Sequence, residues 1–569
     1  MSTQSLSSFS KAAAAVAAGL GTAGLIVVLC GGDASADREA RGPSPHTAPL
    51  LTKVAHREAA QPSKPDPTKT AATSSSAGIV RARPAPEFVD KGLAWLIAAQ
   101  HKDGGWGAGS HAKQDIRDPH AVVVDPATTA FVASSLLRYG HTPASGKYQA
   151  NARRATEYLC SAVEEYTKPG PKITDLEGTQ IQSKLGPLVD TAMTAQYLAR
   201  ALAVLPKSDS LHARVDKALD KCLAKLGEAQ QKDGSWNVGG GWANVLQSSL
   251  GCSAFEYAQA AGKKVDQGRL DLARKYHGDN FDSKTGIVKT GASAGIALYA
   301  NNSSFRANAA NSRAATDFIE KAKQEGKLPA DAPISEENLK IAGVKAGVAQ
   351  LLVTANSSAV NQSLTLNGVN TYTGGTSAVS GDLVASAKPA LPTSGPVAAA
   401  PPVESVASTT DVSGITLGSA GTTVVGAGTL TLSGGVVFTG PVTRSSAGLP
   451  AGAAAATDDE ALLAGFGNNG GEEFLSYMLA SESMVILGEK DWNQWYDRMS
   501  GRLSKVQNPD GSWSGHHCIT SPVFCTAAVV QTMTADHDAE MLTRLAKEAA
   551  AIAKVDAREQ TGTQPVKNQ

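Results

Sequence analysis

The chain has 569 residues, with 52 Lys plus Arg against 52 Asp plus Glu and a formal net charge of zero. Zero net charge excludes the broad basic field that holds nucleic acid by its phosphates, so no nucleic-acid partner is expected. Aromatic residues are only 5%, which argues against a large ring-lined pocket for stabilising carbocations; the length allows several domains at about 100 to 200 residues each.

Residues 1–36 read as an export signal. Lys11 is the only charge before an apolar run from Ala12 to Leu29, and Ala34-Ser35-Ala36 is a small-residue cleavage site ahead of Asp37. The expected location is periplasmic, cell-surface or secreted. The apolar run is also long enough for an uncleaved N-terminal membrane tether, while Cys30 fits a lipid-attachment box poorly. Export leaves Cys160, Cys222, Cys252, Cys518 and Cys525. That odd, widely spread set reads as isolated buried thiols, with one bridge among them left open.

Residues 37–86 are rich in Pro, Ser, Thr, Ala and Lys without apolar periodicity, and read as a disordered linker. From Phe88 the pattern turns helical: "FVDKGLAWLIAAQ" places Phe88, Leu93, Trp95, Leu96 and Ala99 near one face. "PATTAFVASSLLRYG", "DTAMTAQYLARALAVL", "LHARVDKALDKCLAKLGEAQ", "LGCSAFEYAQAAG", "GRLDLARKYHG", "SRAATDFIEKAKQEG" and "EENLKIAGVKAGVAQLLVT" carry the pattern through a first helical part, 87–355. Charge nearly vanishes over 356–460, where "LTLNGVNTYTGG" (Leu364 to Gly375) echoes "LTLSGGVVFTGP" (Leu430 to Pro441). The alternation with Gly-containing turns predicts short strands in an insert, a disordered spacer being the alternative. Helices return over 461–545 with "EEFLSYMLASESMVILG", "DWNQWYDRMSGRLSKVQ" and "VFCTAAVVQTMTAD", and 546–569 reads as a polar tail.

Three loops share the pattern Q-x-x-D-G-x-W: Gln100, Gly104 and Trp106 in "QHKDGGW"; Gln230, Gly234 and Trp236 in "QQKDGSW"; Gln507, Gly511 and Trp513 in "QNPDGSW". Asp-Gly supplies the turn, Trp a flat surface to pack on a helix end, and the Gln amide a partner for free backbone groups there. The loop is expected to clamp consecutive helices, a structural role with no catalytic residue. The pattern is similar to the QW motif of the squalene and oxidosqualene cyclases, which occurs in degenerate form in prenyltransferase β subunits and other α/α-toroid proteins. The resemblance covers about 88–354 and 472–536. It implies an all-α fold, an α/α toroid of helical hairpins around a central cavity, interrupted by the Gly/Thr-rich insert. The insert itself resembles the autotransporter-associated β-strand repeats of exported bacterial proteins.

A second repeat sets Asp before A-x-T-A at a helix start: Asp125 with Ala127 to Ala130, and Asp190 with Ala192 to Ala195. Helix capping accounts for both. In a toroid these starts also face the cavity mouth, so Asp125 and Asp190 are the candidate catalytic acids. The cyclases protonate an alkene with the central Asp of D-x-D-D-T-A. Here Pro126 and Ala127 stand where further carboxylates belong, Asp118 is too distant, and Asp458 to Glu460 reads as solvated charge. Prenyltransferases hold zinc with Asp, Cys and His; His516, His517 and Cys518 are weak metal candidates, but the D-x-C element is absent. A Cys518–Cys525 disulfide competes with that reading. Gly251-Cys252 lacks the rest of the thioester element of complement-like toroids. These departures imply no cofactor and a non-catalytic role, binding a lipid, peptide or envelope component in the cavity or on its rim. The alternative is a diverged class II terpene cyclase or prenyltransferase-type enzyme acting on an isoprenoid. A third reading is an assembly protein that makes contact through the insert.

Overall fold

The computed structural model describes residues 79–282, 287–367 and 462–554, all within the unit Ser74–Gln569; between 368 and 461 only the backbone of short strands is described. The export signal, most of the linker, most of the insert and residues 555–569 lie outside the described residues. Those described form an all-α protein. Its helices are α1 (Glu87–Ala98), α2 (Pro126–Arg138), α3 (Gln149–Glu165), α4 (Gln180–Leu185), α5 (Val189–Val204), α6 (Ser210–Ala229), α7 (Asn244–Ala260), α8 (Gln267–Gly278), α9 (Ala297–Gln324), α10 (Glu336–Ile341), α11 (Ala346–Leu366), α12 (Gly471–Leu487), α13 (Glu489–Leu503), α14 (Pro522–Met533) and α15 (Ala539–Ala553). None of the described helices is long and apolar enough to cross a membrane.

The helices are of two kinds. In α2 every residue but Leu137 is buried, and α5, α7, α12 and α14 are nearly as enclosed, as is the first half of α9. Small Ala, Ser and Thr side chains let such helices approach one another from all sides. By contrast α6 buries one stripe through Leu211, Val215, Leu219, Cys222 and Leu226, and α3, α13 and α15 do likewise, the pattern of helices with one wet face. The enclosed helices pack in succession: α2 on α5, α5 on α7, α7 on α9, α9 on α12, α12 on α14, and α14 on α2 again.

The three clamps have one geometry. Each Trp ring nitrogen donates to a leucine carbonyl ten residues earlier: Trp106 to Leu96 at 2.8 Å, Trp236 to Leu226 at 2.8 Å and Trp513 to Leu503 at 2.9 Å. These carbonyls belong to the last turns of α1, α6 and α13, where helix carbonyls run short of intrahelical donors; Leu226 also accepts from the Gln230 N–H at 3.1 Å. Each Trp backbone N–H donates to a hydroxyl in the first turns of the following enclosed helix: Thr129 at 2.9 Å, Ser248 at 2.7 Å and Thr526 at 2.9 Å. Each Gln amide bridges the Gly carbonyl of its own loop and a carbonyl at the start of another helix, Asn151 of α3, Arg269 of α8 or Phe88 of α1. The third clamp thus ties the loop between α13 and α14 to α1. Gly104, Gly234 and Gly511 have φ of 94°, 92° and 92°, a conformation that side chains resist. A Cβ on Gly92 would meet the Trp513 ring at 2.7 Å, and one on Gly251 the Trp236 ring at 2.8 Å. Gly251, part of the failed thioester match, is therefore a seat for a clamp.

Several expected boundaries move. The linker ends before 79: Val80 is buried, the Arg83 N–H donates to Asp536 at 2.9 Å, and its guanidinium lies 4.4 Å from the Tyr496 ring centroid. Helix α11 continues through Leu366, past the break expected at 356, because loss of charge there marks a face buried against α9 and not loss of helix. The first echo sequence therefore begins inside a helix. The second forms strands Leu430–Leu432 and Val436–Phe438, paired antiparallel. The insert's last strand, Ala453–Ala455, pairs with Ile287–Lys289. The tail expected from 546 is helical to Ala553, with Ala546, Ala549 and Ala553 buried. "EENLKIAGVKAGVAQLLVT" is two helices, broken at Gly343 with φ of 92°. Helix α9 starts at Ala297, well before the periodicity at Ser312, because Asn302 bonds across to the Ser476 carbonyl and Asn308 to the Ser304 carbonyl.

Candidate functional site

Asp125 and Asp190 are brought together, and both are enclosed, at 0% and 2% exposure. Asp125 caps α2: its carboxylate accepts from the Thr128 N–H at 2.7 Å, the Thr128 hydroxyl at 2.8 Å and the Ala108 N–H at 3.0 Å. Pro126 occupies the first helical position, which has no N–H to satisfy. Asp190 lies in the first turn of α5 and accepts from the Ala127 N–H at 3.1 Å and the Gln182 amide at 2.8 Å. It thus joins the starts of α2, α4 and α5. Burial raises both carboxyls; for Asp190, burial and then the neighbouring Asp125 charge push it up to about 7, with the hydrogen bonds opposing.

A second acidic pair lies at the start of α12. Glu473 accepts from the Tyr299 hydroxyl at 2.5 Å, the Phe466 N–H at 2.8 Å and the Gly470 N–H at 3.0 Å. Glu472 accepts from the Ile519 N–H at 3.2 Å, and burial followed by the Glu473 charge raises its pKa to about 8. Around them stand Cys518, His517 and Lys184, with the aromatic pair Trp242 and Phe466, 6.2 Å between ring centroids and edge to face. Lys184 lies 4.4 Å from the Trp242 ring centroid. Trp242 is 55% exposed and Phe466 50%. All these residues sit within a few positions of the first turn of α5, α7, α12 or α14, because the connecting loops converge at that end of the enclosed helices. Trp242, Phe466 and Glu472 were not among the expected site residues; an aromatic flanked by Gly just before a helix start was the signal for the first two.

His516, His517 and Cys518 do not assemble as expected for a zinc set. His516 is exposed, His517 meets the Asn468 carbonyl at 3.0 Å, and the Cys518 thiol is raised to about 11, first by burial. Among the described residues no group of three or more His, Cys, Asp or Glu could hold a metal ion. The Cys518–Cys525 bridge is not formed: both are free thiols, as are Cys160, Cys222 and Cys252, and the Cys525 thiol points at the Ile519 carbonyl, 3.6 Å away.

The raised acids have a consequence for stability. Glu472 titrates near 8 when folded and at 4.5 when unfolded, so the folded state holds the extra proton and stability falls as pH rises between those values. Asp190 adds a fall between 3.8 and about 7. Thermal melts at pH 6 and pH 9 check this: Glu472→Gln should lose less stability across that interval than the parent chain, and an equal loss in both would contradict the assignment.

Toward the other end of the same helices lies a buried ion network that the sequence did not reveal. Arg306 of α9 donates to Glu256 and Glu482, both at 2.7 Å. Arg274 donates to Glu256 at 2.8 Å, Arg138 pairs with Glu482 and with Asp538 at 2.9 Å, and Arg200 pairs with Asp538. Burial alone would raise the Glu482 carboxyl, but Arg138 and Arg306 hold it down at about 2. No family model matches the chain, and neither a curated protein nor a solved structure matches it.

Proposed function

We propose that the helices form the α/α toroid that the clamps resemble, in a protein exported from the cytoplasm that binds an isoprenoid-type lipid without transforming it. The cyclic packing order of the enclosed helices and the return of Gln507 to Phe88 support the toroid. The observation that carries the binding role is the half-exposed Trp242–Phe466 pair at the helix starts. Exposed aromatic surface costs free energy in water, and its retention beside a buried acid marks an interaction site. A non-catalytic role is supported by Asp125, whose carboxylate is fully engaged in holding the α2 start.

Titrating the full chain with farnesol while following tryptophan emission tests the reading. Saturable quenching is expected, weakened about tenfold, or about 1.4 kcal/mol, by Trp242→Ala with the melting temperature unchanged. No saturable response would sink it. Acid chemistry is a second reading, favoured by two carboxyls, Glu472 and Asp190, that burial holds protonated near neutral pH. Recovery of altered farnesol from the same incubation, abolished by Glu472→Gln or Asp190→Asn, would replace binding with catalysis.

A further inference from the structure

The buried ion network is not balanced. Arg138, Arg200, Arg274 and Arg306 bring four positive charges, whereas Glu256, Glu482 and Asp538 bring three negative ones. All the arginines are 6% exposed or less, and Asp538, with a 15% exposed side chain, is the member nearest solvent. An uncompensated charge in so enclosed a place is unfavourable unless a counter-ion joins it.

Three donors around Tyr257 are unused. Arg200 Nε, Arg306 Nη2 and the Tyr257 hydroxyl are each buried and without a hydrogen-bond partner. They come from α5, α9 and α7, and the Arg200 and Arg306 guanidinium carbons lie 5.5 and 5.7 Å from the centroid of the same Tyr257 ring. The other bonds of these arginines are committed: Arg306 to Glu256 and Glu482, Arg200 to Asp538. Buried donors are ordinarily satisfied, and one excess positive charge beside three free N–H or O–H groups calls for an acceptor with one negative charge and oxygens facing several directions.

We propose that the cluster of Arg200, Tyr257 and Arg306 binds a singly charged phosphate group, either free phosphate or the diester of an anionic lipid, entering beside Asp538. Phosphate suits the site better than an apolar or cationic ligand because the two guanidinium nitrogens can only donate, they carry positive charge, and the hydroxyl can donate beside them. The site is separate from the Trp242 face and stands whether or not that face binds lipid.

Isothermal titration of the full chain with inorganic phosphate at pH 6, and co-flotation with phosphatidylglycerol-containing vesicles, test it. One equivalent of saturable phosphate uptake would establish a free-anion site; uptake by the anionic vesicles alone would establish the lipid diester as the source. Tyr257→Phe removes a hydroxyl that bonds to nothing else, so its melting temperature in phosphate-free buffer should hold or rise while the affinity drops about tenfold. Arg200→Gln should abolish saturable uptake in either arm. A folded parent chain that takes up neither probe overturns the proposal, as does uptake that both variants leave unchanged.

Discussion

Arg306→Met is expected to lower the free energy of unfolding by up to about 3–5 kcal/mol, the usual cost of breaking one buried ion pair from one side. Arg306 bridges Glu256 and Glu482 from a position 1% exposed, so its loss leaves each buried carboxylate with one arginine, Arg274 or Arg138, and removes the link between them. Methionine keeps much of the volume, which confines the effect to charge and hydrogen bonding. Urea denaturation of parent and variant measures it. A cost under about 1 kcal/mol for the single variant would mean that the pair behaves as a solvated surface bridge and that the interior here is wet. The network also has a pH signature. Glu482 is held at about 2 against 4.5 when unfolded, so its contribution, on the order of 3 kcal/mol, is complete above pH 4.5 and is lost as pH falls toward 2.

Trp513→Ala should cost about 3–5 kcal/mol, as for other buried large aromatics. Its ring is fully buried, seated over Gly92 and bonded to the Leu503 carbonyl. The more telling readout is where the loss is felt. Gln507 and Trp513 connect α13 and α14 to α1, so amide exchange should accelerate in α1 as well as beside the mutation, although about four hundred residues separate them in sequence. Trp236→Ala, by the same geometry, should loosen α6 and α8 and leave α1 protected. If Trp513→Ala left exchange in α1 unchanged, the third clamp would not join the two ends of the helical body.

Much of this was legible in sequence because it is local. A turn that needs glycine at positive φ, a tryptophan at fixed distance from a glutamine, and an Asp before a helix all constrain neighbours within a few residues. The roles of Gln100, Gly104 and Trp106, and of their two repeats, could therefore be read directly, as could the capping by Asp125. The hydroxyls that complete each clamp, Thr129, Ser248 and Thr526, were not read, because they follow Trp at unequal spacing. Composition misled where it stood in for packing. The uncharged end of α11 and the Ala-rich start of the supposed tail are helices whose faces are buried by other helices, α9 among them.

By itself, then, the sequence determined the all-α class, the clamps and the cap at Asp125, since backbone propensity, turn chemistry and periodic burial act over a single turn or helix. Asp190, expected to cap α5, lies inside its first turn and bonds to Ala127 and Gln182 instead. Only the tertiary structure decided which charges meet. Arg138, Arg200, Glu256, Arg306, Glu482 and Asp538 lie on separate elements, and nothing in their local surroundings distinguishes them from surface charges. Their pairing, the Trp242–Phe466 face and the raised acids at Asp190 and Glu472 all depend on desolvation, which is set by how whole helices pack.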